Sequence, residues 1–432
     1  VAEDDVRAVA RRIARAASVS IFEDLGIQQA PNSTLCSYLE KQVYLLTGHF
    51  AQRGSMNIHT RLARLSGGGS GGGDRRSPVT GQRIITGLIP AAAIPDEILT
   101  DHPRRFRAMI VESANPAHSL PDSPRMREAL DALECLVVID VALTETARRA
   151  HYVLPAPSQY EKWEAAFFTL EFPRNTFQLR APVLPPLPGT LAEPEIHRRL
   201  VRALGAYTDA DLVPLHEAAA LGREAFAMAF LATLSARPEL TPYAALLLYE
   251  TLGPTLGPGR EATAAVWGLC QTCFMAYPES VRRAGHESGE ALFDAILAHP
   301  EGVTFTVDPY EETWARMDTP DGRVRLAVPE LLEALAALPA TPPARDPAFP
   351  FVLSAGERRT STANTLFRDP AWRTKDRHGA LRLCPDDARA PCERALTHRV
   401  HAGCAAVSRR PLRRAHAAGL RLCLPRQHRP GR

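Results

Sequence analysis

Three short stretches carry side chains able to do chemistry, and each follows an apolar run: Asn115-Pro116, Ile139-Asp140 and Glu161-Lys162. In open α/β sheets, ligands lie outside the carboxyl ends of the strands. Asn115 offers an amide donor and an acceptor there, and Pro116 turns the chain out of the sheet. An Asn-Pro pair also serves simply as a turn. Asp140 closes the run LVVID, where a carboxylate can accept two hydrogen bonds from a ribose or from the N1 and N2 edge of guanine. It can equally cap the following turn. Lys162, after YVLPAPSQY, can reach a phosphate or a base carbonyl, or form a surface ion pair.

The elements that must position these residues read as α/β. The runs AMIVES, LVVID and YVLP are expected strands, separated by helices at Arg125–Leu133 and Thr144–Ala150. Continuous apolar strands alternating with helices imply a parallel sheet covered on both faces. Upstream, residues 3–16 have an amphipathic period with Val6, Val9, Ile13 and Ala17 on one face, and Asp4 and Asp5 at the positive helix end. A short strand is expected at Val19–Phe22 and a turn at 25–29. A helix is expected at Thr34–Leu46, with Leu35, Leu39, Val43 and Leu46 inward and Gly48 stopping it. GGGSGGG at 67–73 reads as a linker. Residues 194–300 read as largely helical, 303–307 as a strand and Pro329–Ala337 as a helix. TPPARDPAFP at 341–350 is a joint before a β-rich segment.

The 432 residues suffice for roughly two to four domains. A hydrophobic fraction of 45% fills real cores, and 23% charged residues exclude a disordered chain. A net charge of +3 gives no whole-chain argument for nucleic acid. No apolar run reaches the ~20 residues of a membrane span, and the charged start VAEDDVRAVARRIARAA is no signal peptide. Eight irregularly spaced cysteines fit a reducing, cytoplasmic setting. Cys270-Gln271-Thr272-Cys273 lacks a second ligand pair and reads as buried helix cysteines. Gly68-Gly69-Ser70-Gly71-Gly72 fits a nucleophile elbow only formally, since no strand leads into it. From Pro391 onward there are ten Arg and no Lys, with three Cys and four His. That composition suits either a basic tail or a shifted reading frame.

Taken together, VVIDVALTETARRAHYVLPAPSQYEKWEA, the upstream FEDLGIQQAPNSTLCSYLEKQVYLLTGHFAQRGSMNI and the later PFVLSAGERRTSTANTLFRDPAW resemble the molybdopterin oxidoreductases that carry bis(molybdopterin guanine dinucleotide), such as formate dehydrogenases and periplasmic nitrate reductases. The resemblance covers about residues 1–205 and 347–388. It implies Rossmann-like αβα domains with a helical insertion and the start of a C-terminal β-barrel. The corresponding division is 1–60, 61–205, 206–345, 346–390 and an atypical tail at 391–432.

The resemblance also implies site roles. Leu25 and Gln29 match a cofactor-contacting turn, and Asn115, Ile139, Asp140 and Lys162 match nucleotide-binding positions. Glu193 falls where the family often has Asp. Ser354, Gly356, Arg358, Thr360 and Thr362 lie in the loop expected to close over the pterin. The implied cofactor holds molybdenum or tungsten, the implied substrate is formate or a similar small molecule, and electrons pass to a partner. No nucleic-acid partner, membrane span or metal ligand within the chain is expected. The family's cysteine motif for a 4Fe-4S cluster and its metal-ligand segment would precede residue 1. A chain truncated at both ends, and inactive alone, is therefore expected. The sequence departs from the family at His151, where Asp is usual, and at Gly48-His49, where Gly-Asn is usual.

Overall fold

The computed structural model describes residues 2–28, 30–63, 75–84, 87–166 and 171–339. In chain order the elements begin with α1 (Glu3–Arg15), α2 (Leu25–Gln28), α3 (Ser33–Leu46) and α4 (Ile94–Leu99). Next come β1 (Ala108–Glu112), α5 (Pro116–Ser119), α6 (Ser123–Asp131), β2 (Cys135–Asp140) and β3 (Tyr152–Pro155). Then follow β4 (Glu164–Ala166), β5 (Arg174–Arg180), α7 (Glu193–Ala203), α8 (Asp209–Leu221), α9 (Arg223–Ala236) and α10 (Ala244–Thr251). The last are α11 (Ala264–Ala276), α12 (Pro278–Arg283), α13 (Gly289–Ala298), β6 (Val303–Val307) and α14 (Pro329–Ala336). The described residues divide into two compact units, and the chain passes from one to the other at 156/157, inside the segment 61–205.

One unit holds described residues 75–156 and 189–191. Its sheet is parallel, in the order β1-β2-β3, with Val111 opposite Val138 and Val138 opposite Val153. Helix α6 starts at a cap in which the Asp122 carboxylate accepts the Arg125 N–H, and it carries Pro124 in its first turn. Met126, Ala129 and Leu130 fall at i, i+3 and i+4, so one helix face meets Val111, Leu136 and Val138 in a single core. The described helices of this unit cover one face, where both were expected to be covered. On the other face Ile110 is 57% exposed and its row neighbour Tyr152 is 63% exposed. The cause lies in the connections. The helix expected at Thr144–Ala150 is a 3-10 turn at Ala147–Arg149, and its Ala147 joins the same core as α6. Both crossovers therefore return to one side.

The second unit holds described residues 2–63, 157–188 and 192–339. Its sheet is antiparallel, in the order β4-β5-β6. Helices α7–α13 fill the stretch expected to be helical, and Phe177, Leu179 and Phe305 from the sheet share a core with Phe226, Trp267 and Phe293. Strand β6 falls on the expected residues. Strands β4 and β5 had no counterpart in the sequence reading. In β5 the inward positions are Asn175, Phe177 and Leu179, and the polar Asn175 hides the period-two signal.

Three expectations near the start of the chain are corrected. Val19–Phe22 forms no ladder; Ile21 N–H instead donates to the Met56 sulfur at 3.4 Å. Residues 25–28 form one helical turn. No residue of α1 is buried, and α3 buries Leu35 and Tyr44 rather than Leu39 and Leu46. Tyr44 is drawn in by stacking on Phe50. The expected linker at 67–73, the joint at 341–350, the barrel start and the tail lie outside the described residues.

Candidate functional site

The carboxyl ends of β1 and β2 bring Asn115, Ile139 and Asp140 into one unit. After β1, Ser113 donates its N–H to the Ile139 carbonyl at 3.0 Å and adopts a left-handed φ of +53°. For a residue with a Cβ this conformation costs about 1–2 kcal/mol. It turns the chain sharply at the strand end, where such outliers concentrate at functional sites.

Asn115 then ties two strand-end loops together. Its amide nitrogen donates to Glu145 Oε2 at 2.7 Å. Its amide oxygen accepts from Thr146 Oγ1 at 2.8 Å and from Thr146 N at 3.2 Å. Thr146 Oγ1 in turn accepts the N–H of Ala117. Thr144 and Thr146 are both fully buried, and Ala147 N–H donates to Thr144 Oγ1. The first loop is thus clamped to the second by one side chain. The Asn115 carbonyl also accepts from His118 and Ser119 as the start of α5, so the residue is a turn-former as well.

Asp140 is 4% exposed and stands at the end of the central strand. Its Oδ1 accepts the Ala142 N–H at 3.2 Å, a two-residue turn of the kind Asp favours. The carboxylate therefore does cap the following turn, and it does so at the position where an open sheet binds ligands. Ile139 is fully buried, and its carbonyl is taken by Ser113. His151, which stands where the resemblance implies Asp, is a backbone acceptor. Leu136 N–H donates to its Nδ1 at 3.0 Å, which requires the lone pair on that nitrogen.

Lys162 and Glu193 belong to the other unit, where they form a half-buried ion pair. Beside them, hydrogen bonds from Ser158, with a further one from the Leu187 N–H, hold the Glu161 carboxyl below the usual carboxylate range. In the same unit, His49 is buried with neither ring nitrogen hydrogen-bonded. The backbone of Leu25 lies in α2. Gln29, Ser354, Gly356, Arg358, Thr360 and Thr362 lie outside the described residues.

The bracing residues Glu145 and Thr146 escaped sequence reading, although the Thr-Glu-Thr run beside Asp140 was a usable signal. Also missed was a buried polar cluster formed by Thr60, Asn175, Thr306 and Asp308. Cys270 and Cys273 are buried and free in α11, and burial pushes both thiols up, Cys273 to about 12. Among the described residues, no group of three or more His, Cys, Asp or Glu is placed to hold a metal ion. No described helix is long and apolar enough to cross a membrane.

The region that holds these strand ends is similar to known proteins. A family model described as molybdopterin oxidoreductase matches residues 39–186. The chain is 33% identical over 114 residues to a probable oxidoreductase, YoaE, of Bacillus subtilis (strain 168), covering 26% of this chain and 16% of that protein. It is 36% identical over 90 residues to the alpha subunit of a formate dehydrogenase of Methanocaldococcus jannaschii, covering 21% and 13%. It is 40% identical over 57 residues to a trimethylamine-N-oxide reductase of Vibrio vulnificus (strain YJ016), covering 13% and 7%. The matched stretches thus span a small part of each relative's own length. Asn115, the Thr144–Thr146 turn, Asp140 and Lys162 all fall inside residues 39–186, the stretch that is similar to the molybdopterin oxidoreductase family.

Proposed function

We propose that this chain is a cofactor-holding portion of a molybdopterin-dependent oxidoreductase of the formate dehydrogenase type, built around bis(molybdopterin guanine dinucleotide) with molybdenum or tungsten. The observation that carries the reading is the buried carboxylate of Asp140 at the end of the central parallel strand, next to a loop fixed by Asn115. The donor set suits such a group. Asp140 is the carboxylate for the N1 and N2 edge of guanine. Ser113 and Asn115 hold the neighbouring backbone still. Lys162, paired with Glu193, supplies the cation for a phosphate. The metal, when bound, supplies two-electron oxidation or reduction of a small substrate such as formate, with electrons leaving to a partner. The chain's own residues bind and orient. Leu25, Gln29 and the residues from Ser354 to Thr362 complete the pterin contacts in this proposal.

The test is to purify the chain from a host that makes the cofactor and to measure molybdenum, tungsten and released guanylate. Metal and guanylate together are expected. Asp140→Asn keeps an acceptor for the Ala142 N–H but loses the paired acceptor for guanine, and it should lower guanylate retention about tenfold. Equal retention by Asp140→Asn and the parent sinks the assignment of Asp140. Guanylate without metal would replace the proposal by a nucleotide-binding scaffold.

A further inference from the structure

The start of β1 carries a second surface, distinct from the strand ends. Two segments, 75–84 and 102–107, hold Arg75, Arg76, Arg83, Arg104, Arg105 and Arg107 and not one carboxylate. Both are anchored to one residue. The buried carboxylate of Glu97 accepts the N–H groups of Val79 and Thr80 and the Thr80 hydroxyl, and the Glu97 carbonyl accepts the Phe106 N–H. The arms also meet directly, since Arg104 donates to the Pro78 carbonyl at 3.1 Å.

Two of the guanidinium groups are preset. Arg104 donates to Pro78 O and Arg105 to Ile98 O. A guanidinium with one N–H so fixed keeps others for a carboxylate, and the lost side-chain entropy is already spent in the fold. Glu134 neutralises part of the set, bonding Arg107 at 2.6 Å and lying 3.9 Å from Arg105. Asp74 and Asp101 are the adjoining carboxylates in sequence, one before each segment. The balance remains basic. Phe106 stands among the arginines, 39% exposed.

Arginine and an aromatic with no lysine is the composition of protein interfaces. A nucleic-acid site would also present a basic patch, so DNA is a comparison in the test. We infer that this arginine surface docks a protein partner through an acidic face. It sits at the amino end of β1, about 17 Å of strand away from the Asn115 end, so partner docking and cofactor holding do not compete for the same groups.

The experiment uses the full chain and fluorescently labelled poly-L-glutamate as the probe, with double-stranded DNA and phosphatidylserine-containing vesicles as comparisons. Arg75→Glu/Arg83→Glu should weaken poly-glutamate binding about tenfold or more and flatten its salt dependence. Arg11→Glu/Arg12→Glu in α1, with the same change of charge, should leave it within about twofold. Equal losses in the two double variants overturn the inference. So does tighter binding of DNA or vesicles than of poly-glutamate, which would reassign the surface. Should the variant fail to fold, hydrogen exchange on the unaltered chain decides. Added poly-glutamate should protect 75–84 and 102–107, and protection elsewhere overturns the inference.

Discussion

At the residue scale, Asn115 is the instructive case. The family resemblance makes it a nucleotide contact, and in the structure both ends of its amide hold Glu145 and Thr146, which fixes the backbone of the two strand-end loops. Asn115→Ala leaves the fully buried Thr146 hydroxyl without its acceptor, so unfolding free energy should fall by about 1–3 kcal/mol in a urea titration. Unchanged stability with lost guanylate binding would show a direct contact instead. His151 makes a parallel argument. Its Nδ1 does for Leu136 N–H what a carboxylate oxygen would do. His151→Asp should be near neutral, whereas His151→Ala should cost about 1 kcal/mol. Equal melting temperatures for all three proteins would sink that account.

At the element scale, one ion-paired carboxyl in the helical unit makes stability depend on pH. The hydrogen bond from Arg198, helped by Arg199, pulls the Glu195 carboxyl in α7 down to about 2 from the ordinary 4.5. A folded-state value below the unfolded one stabilises above about pH 4.5, and that contribution fades as pH falls toward 2. The stability gap between the parent and Glu195→Gln should therefore be full near neutrality and shrink in that acid window. A gap constant with pH would exclude Glu195 as its source. Helix α1 is the opposite case, amphipathic in sequence and unburied in the fold. Val6→Ser/Val9→Ser should change stability by no more than about 0.5 kcal/mol; a larger loss would show that the stripe is packed in solution.

At the scale of the whole molecule, the helical unit is assembled from three separate stretches of chain, and one buried polar cluster joins them. Asp308 Oδ2 accepts the Thr60 N–H at 2.8 Å and the Asn175 amide at 2.9 Å, while Arg316 donates to Oδ1 at 3.1 Å. Thr60, Asn175 and Asp308 come from the first, second and third stretch respectively. Asp308→Ala removes the acceptor that Thr60, Asn175 and Arg316 share, while Arg316 keeps Glu312 and Asn175 keeps its threonine partners, and it should cost about 1–3 kcal/mol. A loss below about 1 kcal/mol, read by chemical denaturation, would show that the apolar core alone joins the stretches.

Local chemistry is legible in sequence because it repeats within a few residues. The runs around Val111, Val138 and Val153 announced parallel strands through their unbroken apolar character, and the Pro and Gly breaks marked the helices between 194 and 300. The strand-end positions of Asn115 and Asp140 followed from those runs. The resemblance that named a family rested on the same local strings. Tertiary structure decided what depends on distant partners. Asn175 looks like a poor strand residue until Thr60 and Asp308 arrive from more than 100 positions away. Val6 and Val9 look like core, yet among the described residues no core meets them. Asn115 looks like the start of one turn until the 145–146 turn meets both ends of its amide. Period and composition fix which face of an element is apolar; only the packed chain fixes what that face meets.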